Sequence, residues 1–254
     1  MKKYLLILIL ILASMVFFAN SAYAQKNSSI AVPNIGIDIK SSDNPEDISV
    51  TLQILLLMTV LSLAPSILIM TTAYLRLIIV LHFLKTALGT QQMPPGQLLA
   101  GIALFLTFYI MAPTWSKVNE EALQPLLDGE IKVEEAYDKG IKPIREFMLK
   151  SVRDEDLALF IGMSQLERPE NREDLSTYIL VPAYALSELR TGFIMGFFLF
   201  IPFVMVDMII SSILLSMGMM MIPPMMISLP FKILLFILVD GWNLVIGSIV
   251  RSFG

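Results

Sequence analysis

Few residues in this chain are equipped for chemistry, and the ones that are missing decide most of what it can be. Among 254 residues there is one histidine, His82, and no cysteine. Two-histidine zinc motifs, thiolate ligands, thiol nucleophiles and disulfides are therefore out of reach. Neither Ser-x-x-Lys nor Gly-x-Ser-x-Gly occurs, so those nucleophile settings are absent as well. The expectation is a chain without catalytic residues, metal or cofactor. What remains are charges placed inside apolar sequence, at Glu188, Arg190, Asp207, Lys232, Asp240 and Arg251. In a membrane-like segment such residues are functional candidates, and pairing with one another offsets part of their burial cost.

A second unusual cluster is uncharged. Six of the ten residues from Met217 to Met226 are methionine. The unbranched, polarizable thioether packs against surfaces of many shapes, which suits a seal better than a reaction centre. Gly218 frees the backbone there, and Pro223 and Pro224 limit where the next helix begins. Core filling or lipid contact is the competing reading for Met217, Met219, Met220 and Met221.

These residues need elements to hold them. The chain is 56% hydrophobic and 16% charged, with a mean hydropathy of +0.74, which points to the membrane class. The net charge of −4 and the lack of a basic stripe argue against a nucleic-acid partner. Met1-Lys2-Lys3, an apolar run to Ala19 and Ala22-Tyr23-Ala24 have the form of a cleaved signal peptide over residues 1–24. A polar leader, residues 25–47, follows. Residues 48–115 are expected to form a first membrane hairpin. Its first span is Thr51 to Leu75, continuing through Arg76 toward Lys85, and its second is the uncharged Gly96 to Trp115. Tyr109 and Trp115 are interfacial anchors of that second span, and the Arg76, His82 and Lys85 region reads as a cytoplasmic loop.

Residues 116–176 are different material. Lys117 to Asp174 holds 9 Lys/Arg and 15 Asp/Glu, fitting an exported, water-facing helical domain with Pro143 in a first turn. Residues 177–254 are expected as a second hairpin, two long helices about Pro182 to Ser216 and Met225 to Ser252 joined by a methionine loop over 217–226. The midpoint of positions 207 and 232 is 219.5, inside the run. Antiparallel packing would set Asp207 level with Lys232, and Glu188 near Arg251. Gly192 and Gly196 form a Gly-x-x-x-Gly whose expected role is core packing. The fold class that follows is an all-α membrane protein of long kinked hairpins with a small helical periplasmic domain. Parity from a cleaved signal puts the methionine loop on the cytoplasmic side.

Several stretches carry a resemblance. Arg76-Leu-Ile-Ile-Val-Leu, Gly89-Thr-Gln-Gln-Met-Pro-Pro, Ala103-Leu-Phe-Leu-Thr-Phe, Val206-Asp-Met, Met217-Gly-Met-Met-Met-Ile-Pro-Pro and Leu229-Pro-Phe-Lys-Ile-Leu-Leu-Phe-Ile-Leu-Val-Asp-Gly-Trp resemble the FliP family of flagellar biosynthetic proteins over about residues 50–254. The family's injectisome counterparts are similar, but the signal and leader favour the flagellar branch. The resemblance implies an inner-membrane export-gate subunit of flagellar type III secretion within the basal body. It implies five copies assembling with FliQ and FliR into a pore, served by FlhA, FlhB and FliO, that passes unfolded flagellar proteins. Its methionine loops would point into the channel as a gasket. An unrelated transporter or channel is the rival reading, although no internal repeat is seen.

Overall fold

A computed structural model of the chain describes residues 45–90, 93–164, 171–219 and 221–254. The signal-peptide reading and most of the leader lie outside those residues, as does Met220. Every regular element among the described residues is a helix. Helix α1 (Pro45–Thr71) opens on the last three residues of the expected leader and contains the uncharged, span-length stretch Leu52–Thr71. That stretch is only 6% buried within its own chain.

The continuous first span expected through Lys85 breaks at Thr72 and Ala73. The Thr71 and Thr72 hydroxyls donate back to the carbonyls of Ile67 (2.9 Å) and Leu68 (2.7 Å), a pattern that bends helices. What was expected to be a charged cytoplasmic loop is helix α2 (Tyr74–Ala87). Its Arg76, Leu77, Val80, Leu81 and Leu84 fall on one helical face, and that face is buried. The loop reading weighted the cations and overlooked the stripe that carries one of them.

Helix α3 (Gly96–Val118) does not stop at Trp115. It passes through a wide turn at Asn119–Leu123 into the short α4 (Gln124–Leu127), so the long helical rod extends beyond its apolar length. Helix α5 (Val133–Ser151) begins with Glu134 and Glu135 and ends with Lys150, charges that suit the helix dipole. Pro143 lies inside α5 and is buried, not in a first turn. Helix α6 (Asp154–Met163) likewise opens on three acidic residues.

The acidic segment has no core to itself. Met148, Val152 and Leu157 pack with Leu175, Ile179, Leu180, Ala183 and Tyr184, and most of the latter belong to helix α7 (Thr177–Ser216). The segment is thus built onto the root of the second hairpin. At 40 residues, α7 is about 60 Å long, twice the roughly 30 Å hydrocarbon thickness of a bilayer. A large part of it must lie outside lipid or cross at a steep tilt.

Helix α8 (Pro224–Leu238) returns from the turn and α9 (Gly241–Arg251) follows after a 64° bend. The unbroken second helix expected to Ser252 fails at Asp240, which adopts the left-handed conformation (φ 51°). Its carboxylate accepts from Asn243 Nδ2 at 3.1 Å, so Asp240 serves a local turn. Gly241 is required beside it, because a Cβ there would lie 2.2 Å from the Phe236 ring. Three helices are long and apolar enough to cross a membrane, and the bent pair α8–α9 makes a possible fourth.

Candidate functional site: an ion-paired hairpin and its methionine tip

The turn between α7 and α8 closes by backbone hydrogen bonds that its sequence dictates. Gly218 N–H donates to Leu215 O (3.0 Å) and Met219 N–H to Leu214 O (3.0 Å). Gly218 has φ +76°. This is a Schellman termination, in which glycine takes the left-handed position at no Cβ cost. Pro224 then begins α8, where a missing N–H is harmless. Glycine past one helix and proline at the start of the next therefore fix the turn on both sides. The loop proper is shorter than expected, residues 217–223, and Met225 and Met226 belong to the first turn of α8.

The tip is apolar and outward. Met217 and Met219 are exposed, Met221 is 95% exposed, and Ile222, Met225 and Met226 add to the same surface. Met220 lies outside the described residues.

Below the tip the two helices are tied by charge. Lys232 Nζ lies 2.6 Å from Asp207 Oδ2, and Ser228 Oγ donates to Asp207 Oδ1 at 2.5 Å. Both carboxylate oxygens are thus satisfied. Ser228 and Lys232 are buried, whereas the Asp207 side chain keeps 26% of its exposure. The ammonium also abuts the α2–α3 connection, where a Cβ on Gly89 would sit 3.8 Å from it.

A second polar centre lies at the root of α7. Arg76 holds Glu188 through Nε (2.9 Å to Oε2) and Nη2 to Oε1, a two-point contact with neither side chain more than 4% exposed. Its Nη1 donates to Ser252 O (2.9 Å) and Ser252 Oγ (2.8 Å), and the guanidinium stacks 3.8 Å from the centre of the Phe253 ring. Nearby, Tyr184 OH donates to Thr72 O (3.0 Å). Ser187 Oγ donates to Asp156 Oδ2 (2.7 Å) and accepts from Arg153 N–H (3.1 Å). One cation thereby joins α2, α7 and the C-terminal segment.

Glu188 is paired with Arg76 and not with Arg251. Arg251 is exposed, and among the described residues it makes no ion pair. Hairpin arithmetic fails there because the bend at Asp240 turns α9 away from the register of α8. Arg76, Ser228, Ser252, Tyr184 and the Asp156–Ser187 pair were not singled out from sequence as partners. The face formed by residues 76, 77, 80, 81 and 84 was the available signal for Arg76.

The Gly192–Gly196 spacing has a definite role. A Cβ at Gly192 would meet Ile79 at 3.1 Å, and one at Gly196 would meet the Phe83 ring at 2.5 Å. These glycines let α2 seat closely on α7. Neither polar centre gathers a set of metal-ligating groups, and among the described residues no cluster of three such side chains occurs.

Comparison with known proteins places this architecture. The profile of the FliP family matches residues 57–249. The chain is 56% identical over 217 residues to the flagellar biosynthetic protein FliP of Bacillus subtilis (strain 168), covering 85% of this chain and 98% of that relative. It is 46% identical over 224 residues to the protein of that name from Treponema pallidum (strain Nichols), covering 87% and 83% respectively. With the one from Borreliella burgdorferi it shares 42% over 239 residues, 93% of each chain.

Proposed function

The chain belongs to the FliP family of flagellar biosynthetic proteins, and from that premise we propose that it is a pore subunit of the flagellar export gate in the inner membrane. In this reading several copies close into a ring with FliQ and FliR, FlhA and FlhB complete the gate, and FliO assists assembly. Unfolded flagellar proteins pass through the ring.

The observation that carries the reading is the tip. Met217, Met219 and Met221 stand exposed on a turn locked by Gly218 and Pro224, above a stem tied by Asp207, Ser228 and Lys232. Isolated in water such a surface is unfavourable. Brought together from several copies, flexible thioethers would exclude water and ions and then re-pack around a passing polypeptide of any sequence. The length of α7 supports the same arrangement. A helix of about 60 Å with its outer face apolar needs neighbouring helices where lipid ends.

The test is electrical. Replacing Met219, Met220 and Met221 together by serine is expected to raise the ion conductance of the purified, reconstituted complex at least tenfold with assembly intact. Unchanged conductance in a complex of confirmed size would remove the gasket.

A further inference from the structure

Between α1 and α3 lies an apolar wedge of about 410 Å³, walled by Leu68, Ile69 and Thr72 on one side and Ala100, Leu104 and Phe108 on the other, with Trp115 at its end. Its polar atoms are accounted for except one. The hydroxyls of Thr72 and Thr107 donate to carbonyls of their own helices. The indole Nε1 of Trp115 is the one buried side-chain nitrogen or oxygen among the described residues with no hydrogen-bond partner.

We propose that this wedge is a binding site for one acyl chain of a membrane glycerophospholipid, whose ester carbonyl accepts the Trp115 N–H. Three observations lead there. Trp115 ends an uncharged run of 20 residues that starts at Gly96, about 29 Å along the helix. That distance sets it at the boundary of a roughly 30 Å hydrocarbon core, the depth at which tryptophan meets lipid carbonyls. From Trp115 back to Ala100 the groove runs roughly 22 Å, longer than a leaflet half of about 15 Å, so a chain fits lengthwise. A helix does not fit: one of about 10 Å diameter over that length occupies several times the 410 Å³ available.

The surroundings agree with a lipid occupant. The Leu52–Thr71 stretch of α1 is uncharged and 6% buried, so its surface is of the kind that lipid solvates. The orphan N–H needs an acceptor that the protein does not supply. A phospholipid ester offers one at that depth, whereas an apolar side chain from a second copy would not.

The experiment uses the assembled complex in vesicles of phosphatidylcholine and phosphatidylglycerol doped with a phosphatidylglycerol that carries a diazirine midway along its second acyl chain. After irradiation, peptide mapping is expected to find Leu68, Leu104 and Phe108 labelled at least fivefold more than Ile209 and Leu238, which lie exposed on the second hairpin. Leu104→Trp, which fills the wedge, should lower that labelling at least fivefold. Ala100→Leu is the gentler variant should Leu104→Trp fail to assemble. Trp115→Phe should at least halve the lipid that co-purifies with the complex, counted by native mass spectrometry. Equal labelling of all exposed apolar faces would overturn the site and leave ordinary lipid solvation. Cross-linking of Leu68 or Phe108 to a second copy would overturn it in favour of a protein contact. Neither result would bear on the methionine tip, which is assayed by conductance.

Discussion

The two buried ion pairs of this molecule sit near opposite ends of α7 and are built to different standards. At the root, Arg76 and Glu188 meet through two hydrogen bonds, with Ser252 and the Phe253 ring taking up the rest of the guanidinium. Both side chains are 4% exposed or less. Toward the tip, 19 positions later and about 28 Å along the helix, Asp207 meets Lys232 through a single ammonium contact and keeps 26% of its exposure. A planar fork fixes orientation, whereas a point charge on a flexible stem tolerates rotation. The root is therefore a fixed joint among three segments. The stem holds two helices level while leaving the tip some freedom, and the tip itself carries the side chains best able to re-pack.

That contrast can be broken most severely at the root. Glu188→Ala strands a buried guanidinium and should cost about 3–5 kcal/mol, read as a lowered melting temperature of the detergent-solubilised chain. Arg76→Lys should recover little stability, since an ammonium cannot reproduce the fork. Parent-like melting of Glu188→Ala would show that the root is no joint.

At the stem, Asp207→Ala should cost about 2 kcal/mol, below the range for a fully buried pair because the carboxylate keeps water on one side. Asp207→Lys should impair assembly, and adding Lys232→Asp should restore part of it. Absence of any restoration in the double variant would mean that Asp207 acts through another partner. Between the two pairs, Gly196→Ala drives a Cβ against Phe83, 2.5 Å away, and should cost about 1–3 kcal/mol by overpacking, again visible in thermal unfolding. The smallest effect is expected at the tip. Gly218→Ala meets nothing within 4 Å and should lose only about 1 kcal/mol through its positive φ.

How much of this was legible in the sequence follows the same division. The tip was readable because its signals are local: glycine and proline mark a turn within a few residues, and equal spacing from the turn sets Asp207 opposite Lys232. The root was not, since Arg76 and Glu188 are 112 positions apart and no turn relates them. A count of cations placed Arg76 in a loop, although helical spacing put it on the face of Leu77, Val80, Leu81 and Leu84. The breaks at Thr72 and Asp240 escaped for another reason. Neither has a proline, and both arise from side-chain bonds to the backbone or a left-handed residue that composition does not announce. The acidic segment looked self-contained by charge, yet its apolar residues complete a core with α7, and shared burial leaves no mark on charge.

The central claim is that tips from several copies converge on one channel. The chain has no cysteine, so Met221→Cys would carry its sole thiol, on a residue that is 95% exposed. Treating the assembled complex with a short bismaleimide is predicted to give dimers joined through residue 221 that vanish when the complex is dissociated before treatment. An intact complex that yields only unlinked chains would contradict convergence of the tips.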